Sequence, residues 1–200
     1  MTEALEAHGH EVTKALIGFT DHHYGGRFSR WPMSWPIWNI VGMLPAQARR
    51  KTGDISIPPQ ALDGDYDLVI VGSPTWWLTT NMPVRSYLKD PAASKVLNGK
   101  PFAAFTTSRR YWKGNIAHIR ELGETAGGHW EGQTHFLAEG NQVMSMWSWL
   151  AFMRHAEERK RSLGVKLPKP NLKPDFETQA RSFADELSDR VLARPTTASA

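Results

Sequence analysis

Asp65-Tyr-Asp-Leu-Val-Ile-Val-Gly-Ser-Pro-Thr-Trp-Trp-Leu-Thr-Thr-Asn-Met-Pro83 is the stretch on which the fold turns. Leu68 to Val71 is a short, unbroken apolar run rich in β-branched residues. Such a run suits a strand buried on both faces, as in a parallel sheet. Gly72 is expected to end it, with Ser73, Pro74 and Thr75 turning the chain and Trp76 and Trp77 following at once. Pro83 suits the first turn of a helix, where its missing N–H is no loss. The strand therefore carries a polar turn and two large flat side chains to the carboxyl edge of a sheet, where open α/β sheets bind ligands.

Working outward, Phe102 to Phe105 is a second buried strand, and Thr106 to Gly114 a second loop at the same edge. Asn115 is expected to cap a helix over Ile116 to Ala126. His129 to Ala138 is a further strand, and Asp90 to Lys100 a helix and turn. Upstream, Thr2 to Ala7 reads as the end of a helix stopped at Gly9, and His10 to Ile17 as a strand. Residues 31–50 hold Trp31, Trp35 and Trp38 among prolines and form an aromatic insertion, either a core-covering loop or a lid or partner surface. Pro36 opens a short helix there through Leu44, and Ile55 to Gly64 is a connector. Downstream, Asn141 to Leu163 reads as a helix in two halves, apolar from Val143 to Met153 and charged from Arg154 to Arg161. With its flank it makes an extra element over 141–166, a core helix, a dimer surface or an interfacial helix, with packing on the core or on a second copy favoured. A last amphipathic helix is capped by Asp175 and buries Phe176, Ala180, Phe183, Ala184, Leu187 and Val191. Residues 1–193 then form one domain, and 194–200 a disordered tail.

Composition excludes several classes of function. The 200 residues contain no cysteine, so disulfides, thiol catalysis and zinc–thiolate sites are ruled out. Twenty-four Lys and Arg against twenty Asp and Glu give a formal charge of +4, too mild and too local to argue for nucleic acid. The first residues lack a signal-peptide pattern, and no run is long enough for a transmembrane segment. A cytoplasmic protein is the expectation. The pairs His8 with His10 and His22 with His23 lack a third ligand at metal spacing, so no metal site is assigned. No Gly-x-Ser-x-Gly elbow occurs, and no catalytic residue is assigned.

The segment Tyr66 to Trp77, with Asn81-Met-Pro-Val-Arg-Ser-Tyr-Leu88 after it, resembles the third strand and flavin-ring loop of flavodoxin-like proteins. The likeness continues from Lys100 to Gly127, and Gly9-His-Glu-Val12 is similar to the segment after the first helix in that family. The tryptophan-rich insertion looks loosely like that of dialkylresorcinol-condensing enzymes in the same family. The resemblance implies a flavodoxin-like three-layer α/β sandwich with a parallel sheet, carrying the insertion and a C-terminal helical extension. It also implies that the sequence begins inside the first helix, without the first strand and phosphate loop. A late assigned start is the favoured explanation; the other is a true truncation unable to hold the cofactor. Neither Thr52-Gly53-Asp54 nor Thr125-Ala126-Gly127-Gly128 stands between a strand and a helix as a replacement loop would.

By the same resemblance the cofactor is FMN, held by Ser73, Pro74, Thr75, Trp76 and Trp77 in the first loop. Thr107, Ser108, Arg109, Tyr111, Trp112 and Gly114 hold it from the second. The make-up of both loops fits a flat apolar plate with polar edges: aromatic faces to sandwich it and turn amides for its rim. Arg109, Arg110 and Lys113 make the second rim basic, which favours an anionic reduced ring and two-electron chemistry. The expected function is an FMN-dependent oxidoreductase passing a hydride from NAD(P)H to a quinone-like or aromatic small-molecule acceptor, as a homo-oligomer. The rivals are a flavodoxin-like electron carrier and a non-catalytic partner-binding domain that has lost the phosphate site.

Overall fold

The computed structural model describes residues 1–28, 32–33, 35–169 and 171–192; Trp31 and the 194–200 tail lie outside the described residues. Its centre is a sheet in which β3 (Val69–Trp76), β5 (Pro101–Ser108) and β6 (His129–Leu137) run parallel, with β5 in the middle. Before them come α1 (Thr2–Ala7), β1 (Gly18–Phe19), α2 (Pro36–Val41), α3 (Leu44–Ala48), β2 (Ile55–Ser56) and α4 (Pro59–Leu62). Strand β4 (Thr79–Thr80) folds back antiparallel on the tip of β3. Along Val69 to Pro74 the side of β3 away from β5 carries no strand among the described residues.

Strand alternation sorts the side chains into two layers. Val71, Phe102 and Ala104 face a core shared with α5 (Met82–Leu88), α6 (Pro91–Leu97) and α7 (Lys113–Thr125). Ile70 and Ala103 face the other way, onto α1 and α9 (Phe176–Leu192), whose Phe183, Ala184 and Leu187 are buried. Helix–sheet–helix layering around parallel strands is an α/β architecture consistent with a flavodoxin-like fold. Local chemistry sets the helix starts. Asn81 accepts a hydrogen bond from the Val84 N–H and Asp90 one from the Ala92 N–H, each followed at once by a proline-containing first turn. Gly123 lies so close to Phe102 that a Cβ there would collide with the ring, which brings α7 tight against β5.

Four expectations are corrected. His10 to Ile17 forms no strand; only Gly18–Phe19 pairs, with Ile55–Ser56, and most of the earlier residues are exposed, where water satisfies their backbone groups without a ladder. The strand does not end at Gly72. It runs on through Ser73 and Pro74, which stand in register with Thr106 and Thr107 of β5, and Thr75, which pairs with Thr80 of β4, and the turn falls at Trp77–Leu78. Pro74 is tolerated because β3 is an edge strand there. Asn115 does not cap α7, which begins at Lys113; it lies inside the first turn and is fully buried. The second half of the long helix does not form. Helix α8 (Gln142–His155) stops at Ala156, whose φ is 56°, and the charged residues beyond it are exposed with no face to bury. A small hairpin of β7 (Arg161–Ser162) and β8 (Val165–Lys166) follows.

His118 on α7 makes part of this packing sensitive to pH. It is buried, and its Nδ1 shares a hydrogen bond with the Thr79 hydroxyl at 2.9 Å. Burial, reinforced by Arg50 and Arg85, pushes its pKa down to about 4. The unfolded chain takes up this proton first, near pH 6.5, so the stabilisation is complete above that value and is lost as pH falls towards 4. The expected loss is at most about 3 kcal/mol, read from urea unfolding at pH 7 and pH 4.5. His118→Asn should flatten that difference; an equally steep loss in the variant would move its origin elsewhere.

Candidate functional site

The two loops read from the sequence meet at the carboxyl edge of the sheet, and Asn115 joins them. Its Nδ2 donates to the Ser73 carbonyl at 3.0 Å, to Thr75 Oγ1 at 3.1 Å and to Thr106 Oγ1 at 2.6 Å. The Thr106 hydroxyl also donates to the Ser73 carbonyl at 2.6 Å. Ser73 is itself buried, its hydroxyl donating to the Pro74 carbonyl and accepting from the Asn81 N–H. The polar residues of the first loop are thus consumed in holding the strand ends together. Asn115 Oδ1 is buried without a hydrogen-bond partner. Gly114 completes the junction: a Cβ there would collide with the Leu78 carbonyl oxygen. Gly114→Ala must separate α7 from the hairpin, and a loss of about 1–3 kcal/mol in chemical denaturation is expected.

Two residues join β3 to β4, and neither is glycine or asparagine. Trp77 has φ 48° and Leu78 φ 68°. Tight hairpins of this kind normally use Asn-Gly, because both central residues take positive φ. Holding bulky side chains there costs about 1–3 kcal/mol each.

The aromatic side chains of the two loops diverge. Trp76 is half-buried and packs against Met43, Ala46 and Met82. The Trp77 indole N–H donates to the Ile40 carbonyl on α2 at 3.2 Å. Trp112 stacks on His135 of β6, centroids 4.0 Å apart and planes within 14°, and packs against the main core. Burial, with Lys173 nearby, lowers the His135 pKa. Tyr111 and Arg110 point to solvent, and Thr107 and Ser108 end β5 as half-buried strand residues.

Trp76 instead lines a cavity of about 740 Å³ whose other walls sequence reading did not assign. Trp149 and Met153 of α8, Met33 of the insertion and Phe19 of β1 supply the apolar surface, and Thr20, Asp21 and His22 the polar side. Asp21 holds its own turn, accepting from the Tyr24 N–H at 2.8 Å and the Asp54 N–H at 3.2 Å, with its pKa lowered chiefly by the first of these. Arg109 lies over the Trp149 ring, 4.4 Å from its centroid, and burial lowers its pKa. This puts one cation of the second loop against an aromatic wall of the cavity. The missed walls had a signal: α8 is apolar on most sides, so a second buried surface was to be found for it.

No protein-family model matches the chain, and no curated protein matches it. Among solved structures it is similar to a flavoprotein from Lactobacillus acidophilus NCFM, crystallised in complex with FMN. The two are 16% identical, with 67% of this chain and 83% of that one covered and a TM-score of 0.42.

FMN has two parts, and the residues present suit them unequally. The aromatic and thioether walls beside β3 fit a planar ring, and the volume lies in the usual range for a cofactor pocket. The phosphate is different. It calls for backbone N–H groups at a helix start or a cationic nest. At the start of α1 the described surroundings are Glu3, Glu6 and Glu177 with Lys14 and Arg181, and Arg181 approaches Glu3 at 3.8 Å. That set does not fit a phosphate. Among the described residues no helix is long and apolar enough to cross a membrane.

Proposed function

We propose that the chain is a flavin-binding oxidoreductase of the flavodoxin-like kind, with the flavin ring in the cavity between Trp76 and Trp149. The supporting observation is the cavity itself: two indoles, a phenyl ring and two thioethers at the carboxyl edge of a parallel sheet. When bound, a flavin supplies hydride and electron transfer, so the chain need offer no general base. Trp76 and Trp149 would orient the ring by their faces. Phe19, Met33 and Met153 would keep water from it. Arg109, held on Trp149, would bias the ring towards its anionic reduced form. The donor is NAD(P)H, with the exposed Arg110 at the rim available to its phosphate, and the acceptor is quinone-like or aromatic.

The test is a titration of the purified chain with FMN and with riboflavin, read by flavin absorbance and tryptophan quenching. On this reading the aromatic walls hold the ring and the described surroundings of α1 add nothing for the phosphate, so the two affinities are expected to agree within about threefold. Bleaching of the bound flavin by NADH or NADPH without oxygen would support the oxidoreductase. Absence of binding by either flavin would overturn the reading. A second reading, a flavodoxin-like domain that binds a partner and no cofactor, is favoured by the mixed-charge surroundings of the α1 start, which offer a phosphate no cationic nest. It predicts that outcome.

A further inference from the structure

Helix α2 and the start of α3 are apolar on two opposite sides. Pro36, Met43 and Ala46 are buried against the fold. Gly42 and Met43 keep right-handed helical backbone, so the residues between the two helices stay nearly in helical register. Ile37, Trp38, Val41 and Leu44 then make an outward stripe at spacings of one, four and seven residues. All four are exposed, Trp38 at 68%. The stripe continues into the β3–β4 hairpin tip, where the Trp77 indole is tied to the Ile40 carbonyl and Leu78 is 60% exposed.

We propose that this surface rests on a membrane whose outer lipids are anionic, with Trp38, Trp77 and Leu78 inserted at the headgroup level. Charge selects the occupant. From His22 to Gly53 the sequence has no Asp or Glu and five cations, Arg27, Arg30, Arg49, Arg50 and Lys51. The last three are exposed directly after α3. Arg50 pairs with Glu121 at 3.3 Å, while Arg49 and Lys51 have no carboxylate partner among the described residues. A two-fold dimer through this patch would bring a second set of the Arg49–Lys51 cations into the same interface, with Glu121 already engaged by Arg50. Anionic headgroups neutralise them, and indoles beside cations are the usual make-up of a helix lying in a bilayer interface. The strained turn agrees. It holds an indole and a leucine at its tip where the backbone favours Asn-Gly.

The experiment is co-sedimentation of the full chain with vesicles of phosphatidylcholine, alone and with about a third phosphatidylglycerol. Binding to the anionic vesicles that weakens with added salt is expected, with much less to phosphatidylcholine alone. Trp38→Ser should lower the partition coefficient about tenfold. Trp77→Asn combined with Leu78→Gly should lower it similarly while raising the urea midpoint, so that lost binding cannot be lost folding. Arg49→Ala with Lys51→Ala should remove the preference for anionic lipid. Two results would overturn the proposal: no binding to either vesicle, or a dimer in solution that Trp38→Ser splits without any lipid binding.

Discussion

Trp76→Ala is expected to weaken flavin binding by about 10- to 100-fold. On the proposed placement the indole supplies one face of the slot, and removing a stacked, desolvated ring face costs about 1.5–3 kcal/mol. Trp149→Ala on α8 should do comparable damage from the other wall and also release Arg109, which lies on that ring. The control is Trp112→Phe. Trp112 belongs to the second loop, but its ring is spent on His135, so its replacement should change flavin affinity by less than about threefold. The set separates two arrangements of the pocket. If Trp112→Phe weakened binding and Trp149→Ala did not, the ring would lie between the two loops and not against α8. Trp76 also packs on Met43 and Met82, so each variant is to be compared by urea unfolding before its affinity is interpreted.

Arg85→Ala should lower stability by about 3–5 kcal/mol, from orphaned acceptors and a cavity, the largest effect expected of a single substitution away from the proposed flavin pocket. The Arg85 guanidinium is completely buried and has no carboxylate partner among the described residues. Three acceptors from separate elements hold it. Its Nε donates to the Lys51 carbonyl at 2.8 Å, Nη1 to the Thr80 carbonyl at 3.1 Å, and Nη2 to Gln47 Oε1. Burial pulls its pKa down to about 10, still far above neutrality, so it stays charged. Alanine would orphan the three acceptors and leave a void under α3. Lysine cannot replace the planar fork and should recover little. Arg85 is also one of the cations depressing the His118 pKa. Its removal should therefore move the acid-sensitive window of His118 upward towards pH 6.5, visible as a shift in the histidine titration. An Arg85→Ala protein with unchanged urea midpoint would contradict this account.

Strands β3 and β5 were legible because each holds a short apolar run, and β6 because Trp130, Thr134 and Phe136 are strong strand formers. Most of the buried face of α9 was legible for the same kind of reason: Ala180, Phe183, Ala184 and Leu187 recur at helical spacing and are buried, while Phe176 at the start of the helix is only half-buried. The turn after β3 was not. Ser-Pro-Thr has the chemistry of a turn, and Trp-Leu has none, yet the former continues the strand beside β5 and β4 and the chain reverses at the latter. Asn115 looked like a cap because local sequence cannot show that three acceptors from β3 and β5 converge on its amide.

The sequence by itself determined an α/β class with strands buried on both faces and the presence of an aromatic edge near Trp76. Those are consequences of periodicity and turn-flanked apolar runs, which are local properties. Only the tertiary structure decided which aromatic rings share a cavity. That depends on where α8 and the insertion come to lie, and neither carries a one-sided apolar pattern that would say which neighbour each face meets. The same holds for Arg85, whose partners are carbonyls that every residue possesses and no sequence pattern distinguishes.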